Sequence, residues 1–455
     1  MSKSLFLIGA ASLALAACSN LPSIDPSGLL GGETPNAWAM AQERVGDVQV
    51  GWIESFGDPV LVGLVQEAQA NNRDLQAAAA NVERSRAIAR QAGAALSPQV
   101  SLATSGGEGG NVEAGGSTSS YSAGLQLSWE ADIWGRIRSG RAAAGASAEA
   151  AEADYRFAQY SVASGVAQAY FIAIEAGLQE TIAQETVDAL TETVRIVNVQ
   201  HDAGLASAQD VALSRTDLAT AQDTLTAAGG AKRDAVRALE VLLGRYPGAE
   251  LDVRPTLPNP PAVPPAGLPS DLLERRPDLI AAERNVAAAF NNTNSAKAAR
   301  LPSLSLTSTV GGASSSLSNL LDPANVAWTA AGNLLAPLID GGARQSQVEI
   351  ANAEQEAAVA AYAQAALEAF GEVETSLDQG QVLDRRLVSL TEAAAEANEA
   401  YRIAQLRYQE GETSLIDVLS IQQRVFAAES NLTTVQRLVL QQRVELNLAL
   451  GGDWE

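Results

Sequence analysis

The 455-residue chain has one cysteine and one histidine, and aromatic residues make up only 5% of it. A single cysteine, Cys18, excludes an intrachain disulfide, so stability must come from packing. A single histidine, His201, excludes a multi-histidine metal centre and leaves histidine-based catalysis without partners; it reads as a solvated helix residue. Gly-rich phosphate loops, a G-x-S-x-G elbow and Cys/His metal spacings are also missing. No catalytic residue, metal site or dissociable cofactor is expected. Basic residues are outnumbered 30 to 53, for a net charge of −23. Such acidity argues against a nucleic-acid partner, because binding phosphates needs a basic face. It fits either an ordinary solvated acidic surface or a water-filled lumen that prefers cations.

The apolar run near the amino terminus, Leu5 to Leu15, is shorter than the roughly 20 residues of a membrane-spanning helix. Preceded by Lys3 and followed by small residues up to Ala17, it reads as a secretory signal peptide over residues 1–17. Leu15-Ala16-Ala17-Cys18 has the form of a bacterial lipobox, in which Cys18 carries diacylglycerol and a further acyl chain. Two or more chains hold a protein firmly to a membrane. Ser19, where an inner-membrane lipoprotein would carry Asp, fits an outer-membrane address. Residues 18–60 then form a lipid-anchored segment. The plainer alternative is a leader with an incidental cysteine.

The chain repeats itself. Arg73-Asp74-Leu75 recurs as Pro277-Asp278-Leu279, and Pro98 as Pro302, at a spacing of 204. Gly204, Asp210-Val211 and Leu243-Gly244 recur as Gly411, Asp417-Val418 and Leu450-Gly451 at a spacing of 207. The copies span 61–245 and 270–455. Between them, 246–269 holds eight of the seventeen prolines, which excludes helix interior and predicts an extended connector. Each copy reads as a helix, two short strands and two long helices. Arg136 to Gln200 contains no proline and would span about 95 Å at 1.5 Å per residue; Gly342 to Tyr408 is its counterpart. In the last helix, Val418, Ile421, Val425, Ala428, Leu432, Val435, Val439, Gln442 and Leu446 form a heptad seam for side-by-side packing.

Helices alone would describe a lipid-anchored coiled coil of the envelope. Four short segments do not fit that description. From Tyr121 to Trp129 every odd position is apolar and every even one is polar or glycine. Leu304, Leu306 and Val310 likewise alternate with Ser303, Ser305, Thr307 and Thr309, and Val100 and Leu102 with Gln99 and Ser101. Val326 and Trp328 alternate with Ala327 and Thr329. This period of two places one face on lipid and the other on water, although a half-buried soluble sheet would alternate in the same way. Gly106 to Ser119 and Gly311 to Asn325 are expected to be the loops joining the strands. Four strands cannot close a barrel, and an open edge in lipid costs several kcal/mol per unpaired amide. Three chains would supply twelve strands.

Gly51-Trp52 through Phe56-Gly57-Asp58-Pro59, Ala70-Asn71-Asn72-Arg73-Asp74-Leu75, Trp129-Glu130-Ala131-Asp132-Ile133-Trp134-Gly135-Arg136 and Glu274-Arg275-Arg276-Pro277-Asp278-Leu279 together resemble the outer membrane factor family, TolC/OprM-like, in its NodT-type efflux lipoprotein subgroup. The resemblance implies a mainly α protein with a membrane β-barrel contribution: a long α-helical barrel plus four β-strands per protomer, closing as a homotrimer into a twelve-stranded barrel. It implies an outer-membrane channel that receives small molecules from an inner-membrane pump, of the RND type, through a periplasmic adaptor. Protein export in a type I secretion system is the alternative within the same architecture. The periplasmic tip is expected at the turns around Gly204 and Gly411. By resemblance, Tyr408 stands at a gate tyrosine, Asp417 at a constriction aspartate and Asp210 at its partner region in the first copy. Ser420 replaces a second acidic residue, and Thr413 a basic one found in some relatives. Asp417 can equally be a helix-start residue that the helix dipole favours.

Overall fold

The structure, a computed structural model, describes residues 35–40, 51–111 and 116–452. Cys18 and the leader lie outside the described residues. Two short helices open the first half, α1 (Pro59–Asn71) and α2 (Arg73–Ala94). They are followed by β1 (Gln99–Asn111), β2 (Gly116–Ala131), α3 (Arg136–Asp202) and α4 (Ala208–Leu242). The second half has the same order: α5 (Pro269–Arg275), α6 (Pro277–Ala298), β3 (Ser303–Ser314), β4 (Val326–Leu335), α7 (Ala343–Gln409) and α8 (Leu415–Ala449). α3 and α7 have 67 residues each and α4 and α8 have 35 each, so the longer pair runs about 100 Å.

The opening helix of each copy is broken in two, where one had been expected. Asn72 leaves helical backbone and accepts from the amides of Asp74 and Leu75, starting α2 as its N-cap. At the matching position Arg276 is extended and Pro277 begins α6, where the missing amide is not needed. Each long helix starts after a glycine in the left-handed region, Gly135 or Gly342. An aspartate just before it receives the orphan amides. Asp132 accepts from Ile137 and Arg138, and Asp340 from Gly342 and Arg344.

The helices converge on two principal cores. Trp52, Ile53 and Phe56 pack with Leu61, Tyr170, Phe171, Leu239 and Val444 in one, and Trp38 packs with Leu279, Val373, Leu446 and Leu450 in the other. The motif around Trp52 is therefore an anchor for the bundle. Asp58 is buried, caps α1 through the Val60 amide, accepts from the Tyr170 hydroxyl at 3.0 Å and pairs with Arg254 at 3.1 Å. Every member of the α8 seam is buried or half-buried, Gln442 included, and Gln442 donates to the Ser376 carbonyl. The proline-rich connector is extended, as its composition predicts. It is also a packed strap: Leu251, Val253 and Leu257 lie on the first core and Val263 and Ala266 on the second. The buried Glu240 carboxylate takes the amides of Ala249, Glu250 and Leu251 at 2.8 to 3.0 Å.

The four strands form one antiparallel sheet in the order β1-β2-β3-β4. Register turns the alternation of each strand into two continuous faces. Leu102, Leu125, Val310 and Trp328 lie in one cross-strand row, and Ser101, Gln126, Thr309 and Thr329 in the next. On the polar face, Ser105 and Ser122 hydroxyls meet at 2.7 Å, as do those of Thr309 and Thr329. Ser308 falls on the apolar face and turns its hydroxyl onto the Thr329 carbonyl. The strands are longer than their alternation suggested. β1 and β2 continue through Gly106 to Asn111 and Gly116 to Ser119, residues expected to be loop, and β3 continues to Ser314.

Candidate functional site

Two features of the chain can act on something outside it: the sheet and the far helical tip. On the sheet, Leu102 is 71% exposed, Trp328 75% and Leu334 70%. Folded proteins in water do not leave rows of large apolar side chains bare in this way. Both outer strands also lack a partner on one side among the described residues, leaving a run of unpaired amides and carbonyls.

At the tip, both helical hairpins turn in the same way. Gly204 and Gly411 have φ of 75° and 78°, and the amides one residue on, of Leu205 and Glu412, reach back to Gln200 and Arg407 carbonyls at 2.8 Å. This left-handed closure is the Schellman turn that glycine permits without strain. Next comes a capping box in each copy: Ser207 with Asp210, and Ser414 with Asp417. Asp417 Oδ2 accepts from the Ser414 hydroxyl at 2.7 Å, the Thr413 hydroxyl at 3.1 Å and the Ser414 amide at 3.3 Å. These donors hold its carboxyl below the usual carboxylate range, led by the Ser414 hydroxyl. Asp210 is lowered likewise, by the amide and hydroxyl of Ser207. Both residues are thus helix-start aspartates that stay ionised, and Asp417 is exposed.

Tyr408 joins the two copies. It packs against a tip core of Val187, Leu190, Val197, Leu415 and Leu419, and its hydroxyl donates to Gln200 Oε1 at 2.7 Å. Burial pushes the pKa of that hydroxyl above its ordinary value, and the Asp210 carboxylate nearby pushes it further. The structure therefore brings Tyr408 and Asp210 together, whereas Asp417 sits on its own helix start and Ser420 is exposed one turn later. Sequence reasoning missed Gln200, which no local motif marks. It also missed the role of His201, whose Nδ1 lies 2.9 Å from the Ala206 carbonyl across the turn. Among the described residues no cluster of three metal-ligating side chains occurs.

The chain resembles known proteins over nearly its whole length. The model for the family described as outer membrane efflux protein matches residues 64–245 and 268–452. The pyoverdine export outer membrane protein OpmQ of Pseudomonas aeruginosa is 33% identical over 472 aligned positions, covering 100% of this chain and 97% of its own. The cation efflux system protein CusC of Escherichia coli is 30% identical, with 97% of both chains covered. Among solved structures, the open state of the Neisseria gonorrhoeae MtrE outer membrane channel aligns with a TM-score of 0.84 at 28% identity, over 93% of this chain and 96% of that one.

Proposed function

We propose, from the premise that the chain belongs to the outer membrane efflux protein family, that three copies close into a single conduit through the outer membrane of a Gram-negative bacterium. The chain is an outer-membrane efflux channel protein whose long helices lie in the periplasm. In this reading β4 of one copy pairs with β1 of the next. Because the sheet has an even number of strands in simple antiparallel order, head-to-tail addition stays antiparallel all the way round, and twelve strands leave no edge in lipid. The observation that carries the reading is the sheet itself, one continuous bare apolar face bounded by two unpaired edges.

Cys18, bearing diacylglycerol and an acyl chain, adds an anchor to the leaflet nearer the helices. A periplasmic adaptor and an inner-membrane pump of the RND type dock at the helical tip, where Tyr408, Asp210, Asp417 and Ser420 form the gate region and Gly204 and Gly411 its turns. The chain itself converts no substrate; the pump supplies the energy and selects the cargo. Pyoverdine export and cation efflux are the tasks of two relatives that this chain covers over nearly their whole length, so one architecture serves unlike cargoes. The test is the detergent-extracted protein. Three times the protomer mass and discrete conductance steps in planar bilayers are expected; a lone protomer without conductance would overturn the proposal.

A further inference from the structure

Between the tip turns and the sheet, α4 and α8 both pack on α3 and leave between them a cavity of about 240 Å³. A cavity of about 150 Å³ already holds benzene, so there is room here for an aromatic ring with a polar head. Leu190 on α3, Ala221 on α4, and Leu419 and Phe426 on α8 form the apolar part of its wall. Leu190, Ala221 and Leu419 also belong to the tip core on which Tyr408 packs. Every wall comes from one copy, so the site does not rest on assembly of the trimer.

The polar part of the wall is rich in acceptors and short of donors. Thr186, Thr220 and Thr224 each donate their one hydroxyl hydrogen to the carbonyl four residues back, at 2.8 to 3.0 Å, and keep only lone pairs to offer. Asp217 adds a carboxylate whose pKa is raised by burial, with no cation offsetting it. Among the described residues the walls contain no lysine or arginine. Gln422 also lines the cavity and is 6% exposed, yet neither its Nε2 nor its Oε1 has a hydrogen-bond partner. A buried amide left unpaired at both ends is costly, and it gives up no bond in turning to a ligand.

We propose that this cavity binds a small aromatic cation with planar N–H donors, of the arylamidine class, its ring against Leu190, Leu419 and Phe426 and its N–H groups donating to the Asp217 carboxylate and the Gln422 carbonyl. A head that only donates suits a wall that offers acceptors, and the planar fork of an amidinium matches a carboxylate as guanidinium does. Its charge offsets the penalty that burial places on ionised Asp217. The ring adds apolar burial that a metal ion or a simple ammonium lacks. An anionic ligand is repelled by Asp217 itself.

The test is saturation-transfer NMR of benzamidine on the full-length protein in detergent. Guanidinium, which lacks the ring, and benzamide, which has the shape without the charge, serve as competitors. Benzamidine should bind saturably, and either competitor should need roughly tenfold more to displace it. Asp217→Asn should weaken benzamidine about tenfold, the size of one lost charged hydrogen bond, and Gln422→Leu should weaken it less. Ala221→Leu, which fills the cavity, should abolish binding. Guanidinium or benzamide competing as well as benzamidine itself would overturn the proposal, the first marking a general cation site on an acidic surface and the second an apolar slot. Unchanged benzamidine affinity in Asp217→Asn or in Ala221→Leu would overturn it as well. Asp217→Asn leaves the side-chain volume as it was, so it decides the matter should Ala221→Leu not fold.

Discussion

Leu242 in the first half and Ala449 in the second occupy matching last turns of α4 and α8, yet their carbonyls are held by different chemistry. Asn72 Nδ2 donates to the Leu242 carbonyl at 2.9 Å, and the same side chain caps α2. At the matching place Arg276 donates to the Ala449 carbonyl at 3.2 Å. A guanidinium cannot accept a hydrogen bond, so it cannot cap, and Pro277 removes one amide that would need it. Being buried, it also needs anions. Asp278 on α6 and Glu372 on α7 provide them, at 2.7 and 2.6 Å. Burial pushes its ionisation down, but the two carboxylates outweigh that and hold it charged. A neutral amide thus joins two helices, whereas a buried cation ties three into one node and depends on two acids to do so.

Removing each residue should separate the two solutions most strongly. Arg276→Ala strands Asp278 and the Ala449 carbonyl and should cost toward the lower part of about 3–5 kcal/mol, since Glu372 remains half in water. Asn72→Ala loses a cap and leaves one half-buried carbonyl without its partner, about 1–3 kcal/mol. Circular dichroism during thermal unfolding should show the larger shift for Arg276→Ala. Arg276→Asn, which copies the first half into the second, should still destabilise because the acids keep their charge. Equal shifts for Arg276→Ala and Asn72→Ala would mean that the node adds nothing beyond its hydrogen bond to α8.

The duplication was readable because identical residues recur at fixed spacing, and the sheet because its membrane-level rows alternate. The outer parts of β1 and β2 were not readable, since Gly106 to Asn111 and Ser117 to Ser120 are small or polar on both faces, leaving only the backbone ladder to define them. The break at Asn72 had a signal: an asparagine ahead of Arg73-Asp74-Leu75 is a helix start. The role of Arg276 in joining three helices had none, because the two partners beyond Asp278 lie 96 and 173 residues away. At the tip, Ser207-x-x-Asp210 and Ser414-x-x-Asp417 are visible as capping boxes, but the link from Tyr408 to Gln200 is tertiary and leaves no local trace.

That link gives a second, smaller contrast. His201 and Tyr408 match at the spacing of 207, but His201 bonds within its own turn while Tyr408 reaches across to the other copy. Tyr408→Phe should remove about 1 kcal/mol of cross-copy attachment, enough for about a fivefold rise in open probability in planar bilayers. His201→Ala should leave it unchanged. The same open probability in Tyr408→Phe would remove this hydroxyl from the closed state.

The least effect is expected where the two copies differ by one donor. Asp210 and Asp417 both have a pKa held below the ordinary carboxylate range, so their contribution to the helix starts is complete above the ordinary carboxylate value and is lost as pH falls through the lowered one. Asp417 has the Thr413 hydroxyl in addition to Ser414, whereas the first copy has Ala206 at that place. On acidification, amide exchange should therefore speed up at the start of α4 before it does at the start of α8. Thr413→Ala should bring the two onto one pH profile while leaving α4 as it was. If α8 lost protection first, the third donor could not be what holds Asp417 ionised, and the difference between the tips would have to come from their packing against the Leu415 and Leu419 core.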